Sequence, residues 1–146
     1  MIKKSSIFIL IFSMNVFAVD DLNVNSEKGE SQMPVTQCGD KPNCVSSKDQ
    51  RNSFFIEPIK TENSKEKFEL LVEKIKSLKR TELKAHEKGV HAHFVFTTWL
   101  MSYKDDVYLS VNEKEGVIDI MSQSRVGHWD MGKNRKRLNE LKDLIN

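Results

Sequence analysis

At 146 residues, with 38% hydrophobic and 30% charged side chains, the chain is long enough for one domain with a real hydrophobic core. Twenty-three basic against 21 acidic residues give a net charge of +2, and the excess is Lys3 and Lys4 alone, so the rest balances at 21 against 21. That balance excludes the strong basic excess of a nucleic-acid binder.

The N-terminus reads as a targeting segment rather than as fold. Lys3 and Lys4 form a positive stretch, Ile7 to Phe12 begins an apolar run that reaches about Phe17, and Val16-Phe17-Ala18 offers a small residue at the cleavage point and an acceptable one two before it. This predicts a secretory signal peptide over 1–18, cut between Ala18 and Val19. The run falls short of the roughly 20 apolar residues needed to span a bilayer, so no transmembrane span is expected once the signal is removed. No cysteine follows the cut, which argues against a lipid-modified N-terminus. The expected location is the periplasm or the exterior. Residues 19–37 are polar and aperiodic, which predicts a flexible leader.

The folded domain is expected over 38–146. Cys38 and Cys44 bracket Gly-Asp-Lys-Pro-Asn, and turn formers at short spacing in an oxidising compartment point to a disulfide. Phe54 to Ile59 is short and apolar, with Pro58 confining it to an edge strand or an extended arm. Phe68, Leu71, Val72, Ile75 and Leu78 recur at helical spacing and predict an amphipathic helix over 64–79, with Ser64 as its N-cap and a solvated Lys/Glu face. The period then becomes two. Residues 81–87 and 90–100 predict a hairpin around Lys88-Gly89, with Val90, Ala92, Phe94, Phe96 and Leu100 on one face. Strands over 106–112 and 116–123 follow, and Leu138, Leu141, Leu144 and Ile145 mark a closing helix from about Lys133. The class is α+β: an antiparallel sheet of four to five strands packed on two helices as a two-layer sandwich.

The densest chemistry lies in Ser122 to Arg137, between the last strand and the last helix. Gly127 permits a sharp turn, and the Asp130 carboxylate can cap the helix. The free N–H groups of the helix start, with Arg125 and Arg135 as planar donors, would suit a carboxylate or phosphate. A purely structural reading also stands, with Arg125 paired to Asp130, the hydroxyls capping the turn and Trp129 on the core edge.

Pro42-Asn-Cys-Val-Ser-Ser47, Ile56-Glu-Pro58, Asp105-Asp106 and Ser124-Arg-Val-Gly-x-x-Asp-x-Gly-x-Asn-Arg-x-Arg137 together resemble domain of unknown function family 1499, from about Cys38 onward. The resemblance implies a small exported or membrane-associated envelope domain, and no activity, substrate or cofactor. Its pattern maps onto Asn43, Cys44, Ser46, Ser47, Asp106, Ser124, Arg125, Asp130, Asn134 and Arg135. Met121, His128 and Trp129 depart from it, in place of an arginine, a tyrosine and a small residue, and the missing cation weakens an anion site carried over from the family.

Two other constellations compete. With a two-residue turn at Lys88-Gly89, His86 would face His91, and His93 would follow on the same face; three imidazoles so placed could hold zinc or copper. Cys44, Ser46, Ser124 and His128 could pair as nucleophile and base with Asp130 orienting, though without a nucleophile elbow. The reading favoured is a periplasmic module that binds a small anionic or envelope-derived ligand, or a protein partner, through Ser46, Ser124, Arg125, Asp130, Asn134 and Arg135. Arg125 and Arg135 would touch the ligand, Asp130 and Asn134 would hold the turn, and the cysteine loop would sit nearby. No cofactor is expected. A hydrolase acting on an envelope substrate and a structural envelope component without ligand are the alternatives.

Overall fold

Alternation from Thr81 onward becomes a sheet, and the two apolar stripes become the helices laid on it. A computed structural model describes residues 35–146, so the expected signal segment and the leader up to residue 34 lie outside the described residues. In chain order the elements are β1 (Cys44–Ser46), β2 (Ile59–Lys60), α1 (Ser64–Lys76), β3 (Thr81–Glu87), β4 (His91–Thr97), β5 (Lys104–Asn112), β6 (Val117–Ser124) and α2 (Lys133–Asp143). The class is α+β. The sheet has six strands rather than four to five, in the order β1-β6-β5-β4-β3. All its strand pairs are antiparallel, and β2 lies beside β1 along the free edge of β6. Strands of two and three residues carry too little periodicity to be read from sequence. In the Phe54–Ile59 arm, Phe54 closes a turn from Arg51, Phe55 forms a single parallel bridge to Ser46, and Ile59 opens β2.

Register places Ala92, Phe94, Val107, Leu109, Ile118 and Ile120 on one face. There they form a single core with Phe68, Leu71, Val72 and Ile75 of α1 and Leu138 and Leu141 of α2. Burying six such large side chains is worth roughly 1.5–3 kcal/mol each before entropy is charged against it. The opposite face carries a smaller cluster of Val35, Cys38, Cys44, Tyr108 and Met121, with Phe54 against it. Val35, ahead of the cysteine loop, is buried in this smaller cluster.

Several boundaries differ. Helix α1 ends at Lys76, not Lys79, because Arg80 turns through a positive φ of 61° to enter β3. Asn63, not Ser64, holds its N-cap position, without a side-chain cap bond. Strand β4 runs only from His91 to Thr97, which leaves Val90 before it and Leu100 after it, both exposed. Among the described residues, no helix is long and apolar enough to cross a membrane.

Candidate functional site

The junction between β6 and α2 is a chain of polar contacts built from the inside out. Asn134, on the first turn of α2, is fully buried. Its Oδ1 accepts from Ser122 Oγ (2.6 Å) and Arg137 Nη1 (2.7 Å), and its Nδ2 donates to the Asn43 carbonyl (2.8 Å) and Ser124 Oγ (3.1 Å). Arg137 continues inward to Asp105 Oδ2. Asn43 in turn donates through Nδ2 to the Gly127 carbonyl at 2.7 Å. The Asn134 amide thus ties the chain before β1, the end of β6 and the last helix together, and the Asn43 amide adds the loop. Outside it, the Asp130 carboxylate accepts from Gly132 N (2.9 Å) and Asn134 N (2.7 Å), occupying donors that a helix start leaves open. Gly127 and Gly132 adopt positive φ of 88° and 75°, the left-handed turns through which the chain reverses.

Arg125 leaves this network and crosses to the other face of the sheet. Its Nε and Nη2 donate to the two oxygens of Asp106, each at 2.8 Å, so its partner is Asp106 and not Asp130. His93 Nε2 also meets Asp106 Oδ1 at 2.7 Å, with its ring stacked on Tyr108 at 4.4 Å. Burial works to raise the Asp106 pKa, but the Arg125 and His93 contacts outweigh it and hold the carboxyl below its ordinary value. The same Asp106 bonds raise Arg125, and burial raises the Tyr108 phenol.

Arg125 lines a cleft of about 360 Å³ together with Ser124, Gln123, Asn43, Lys41 and Asp40. The far wall is the disulfide loop, where Cys38 and Cys44 are bonded with Cα atoms 5.8 Å apart. Asp49 pins that loop. Its carboxylate accepts from Cys38 N (3.0 Å) and from Arg51 N and Nε (both 2.9 Å). Arg51 Nη2 reaches the Cys38 carbonyl at 2.8 Å, and the guanidinium lies 3.9 Å over the Phe54 ring. The Arg51 bonds hold the Asp49 carboxyl far below the ordinary carboxylate range.

The six residues singled out from sequence therefore do not share one cavity. Ser124 and Arg125 line the cleft beside the disulfide loop. Asp130 and Asn134 hold the turn and the start of α2. Arg135 spends its guanidinium on the carbonyls of Phe55 (2.8 Å) and Ser53 (2.9 Å). Ser46 lies on the same sheet face as Arg125 but is sealed, donating to the Thr36 carbonyl and accepting from Lys48 N at 3.1 Å. Of the nucleophile candidates, Cys44 is consumed by its disulfide, Ser46 is buried, and Ser124 accepts from Asn134.

The histidine trio is taken apart by a β-bulge. Leu83 pairs with Phe94, but the next pair is Ala85 with His93, so Lys84 is an extra residue on β3. A shift of one residue turns every later side chain over. His86 then pairs with Ala92 on the helix-covered face, where its Nε2 meets Glu69 Oε1 at 3.2 Å, while His91 and His93 stay on the other face. The turn is three residues, Lys88-Gly89-Val90, in place of two. Among the described residues, no group of three or more His, Cys, Asp or Glu side chains gathers to hold a metal.

Sequence reading missed Asp49, Arg51, Asp105 and Arg137, which form the buried Asp105–Arg137 pair at the junction and the half-exposed Asp49–Arg51 pair at the disulfide loop. The signal was an acidic pair, Asp105-Asp106, at the mouth of an apolar strand, where each carboxylate needs a cation. It also missed the exposed tips. Trp99, Leu100 and Met101 on the β4–β5 loop, and Trp129 and Met131 on the β6–α2 loop, are each more than half exposed, so Trp129 is not at the core edge. A groove of about 440 Å³ runs between the two loops, lined in part by Tyr103, Val126, Trp129 and Lys133.

A family model described as protein of unknown function (DUF1499) matches residues 34–145. No curated protein and no solved structure matches the chain. With about three quarters of its length matched, the chain belongs to that family.

Proposed function

We propose that this member of the family is an exported module of the cell envelope that binds a small anionic ligand, free or envelope-derived, in the cleft between Arg125 and the disulfide loop. One observation carries the reading. Asp106 fixes the Arg125 guanidinium through Nε and Nη2, and this leaves the Nη1 hydrogens for a further acceptor at the wall of an open polar cleft that also contains Lys41. A guanidinium immobilised before binding loses little entropy when a carboxylate or phosphate arrives. Arg125 takes the contact role; Arg135 serves the Ser53–Phe55 arm, and Asp130 and Asn134 hold the turn. Export is supported by the N-terminal sequence and by a disulfide, which favours an oxidising compartment.

Two measurements test this. N-terminal sequencing of the chain from a periplasmic fraction should begin at Val19. Titration with inorganic phosphate and with soluble peptidoglycan fragments, followed by the Arg125 Nε–H resonance, should move that signal, and Arg125→Ala should abolish binding while costing about 1 kcal/mol of stability. Binding that survives Arg125→Ala, or no movement at millimolar ligand, would remove the ligand reading and leave a structural envelope component.

A further inference from the structure

The exposed apolar residues are not scattered. Strand β4 ends at Thr97 opposite Lys104 of β5, and Asp105 of β5 pairs with Ser124 of β6, so the β4–β5 and β6–α2 loops leave the same end of the sheet. Trp99, Leu100 and Met101 cap one loop and Trp129 and Met131 the other, with exposures of 58–76%. The first loop is an ordered turn. Thr98 N donates to the Tyr103 carbonyl at 2.8 Å, and Tyr103 N donates to Thr98 Oγ1 at 2.9 Å. The apolar tips are therefore held out from the domain.

Charge surrounds them asymmetrically. Lys79, Arg80, Lys133 and Lys136 line the same grooves. Of the carboxylates nearby, Asp105 is paired with Arg137, Asp130 accepts from its own loop, and Glu140 lies 3.8 Å from Lys136. With Arg137 included, five cationic side chains line these grooves against three carboxylates, so the net charge is positive.

We propose that this end of the domain docks on an anionic lipid surface, with the two loop tips entering the headgroup region and the lysines meeting lipid phosphates. Tryptophan and tyrosine, apolar at one end and hydrogen-bonding at the other, settle at that depth in a bilayer. Lysines near an anionic surface add about 1 kcal/mol each, falling with salt. A partner protein would need a complementary concave surface for two separate projecting tips, whereas a fluid interface adapts to both. The proposal stands apart from the Arg125 cleft and does not depend on it.

The chain's two tryptophans are both in this patch, so intrinsic fluorescence reports on it directly, whatever else of the chain touches lipid. Vesicles containing phosphatidylglycerol should shift the emission to the blue and allow quenching by brominated acyl chains, with apparent affinity falling as salt rises. Pure phosphatidylcholine vesicles should do so weakly. The double variant Leu100→Asp/Met101→Asp should bind about tenfold more weakly or worse, and Lys133→Glu/Lys136→Glu should erase the preference for anionic lipid, with melting temperatures unchanged because these side chains are exposed. Emission that stays put with phosphatidylglycerol vesicles would overturn the proposal. So would a blue shift that follows protein concentration without lipid, which would assign the patch to a second copy, or undiminished binding by the aspartate variant.

Discussion

Asn134 decides the architecture of the junction because its amide is spent on four partners from three parts of the chain. No neighbour could replace it: aspartate would bring two acceptors and no donor to the Asn43 carbonyl, and alanine would bring neither. Among the described residues, no buried side-chain nitrogen or oxygen lacks a partner. Removing this one amide would leave the buried Ser122 hydroxyl without its acceptor, take an acceptor from Arg137 Nη1, and reduce the Asn43 carbonyl to the single donor Ser124 N. An unsatisfied buried group costs about 1–3 kcal/mol. Asn134→Ala is therefore expected to lose roughly 2–4 kcal/mol in urea denaturation, against under about 0.5 kcal/mol for alanine at exposed Lys136. Equal losses at the two positions would show that the network is not what holds the turn.

At the scale of elements, what could be read from the sequence tracks how much period each segment carries. Helix α1 shows its apolar stripe over about three turns, and β5 and β6 carry core-facing Val107, Leu109, Ile118 and Ile120 at a period of two, so all three are legible to within three residues. Strand β3 was legible as a strand but not in register, since nothing in Thr-Glu-Leu-Lys-Ala-His-Glu announces that Lys84 is extra. That one residue moved His86 to the other face and dissolved a candidate metal site. Of the site, the Asp130 cap and the helix it opens were readable because capping is local. The Arg125–Asp106 and Arg137–Asp105 pairings were not, because they depend on strand order and on which face each residue takes. The disulfide loop was readable from turn formers between two cysteines, but its role as a cleft wall was not. Since Cys44 also begins β1 and packs in the smaller cluster, reduction should both lengthen the unfolded chain's freedom and loosen that edge. Cys38→Ser/Cys44→Ser is expected to lower stability by about 2 kcal/mol on the chain-entropy account. It should also raise amide exchange over 35–46 while leaving α1 protected, a pattern that mass-resolved hydrogen exchange would show.

For the domain as a unit, the arrangement of charge predicts its response to acid. Asp49 and Asp106 both have carboxyls held below the ordinary value near 4, Asp49 chiefly by Arg51, Asp106 by Arg125 and His93 against the opposing effect of burial. A carboxylate whose pKa is lower folded than unfolded binds fewer protons in the native state. Its contribution is complete above the unfolded value and drains away as pH falls through that value toward the folded one. Stability should therefore hold steady from neutral pH to about 5 and fall below about 4. Asp49 ties the disulfide loop and Asp106 ties Arg125, so acid should release the two walls of the proposed cleft while the core between sheet and helices still holds. Urea midpoints measured from pH 7 to 2.5 should show the fall, and Asp49→Asn should flatten it while lowering the midpoint at pH 7. A chain carrying Asp49→Asn that keeps the full acid slope would place the acid response in other carboxylates, and the cleft's coupling to Asp49 would go with it.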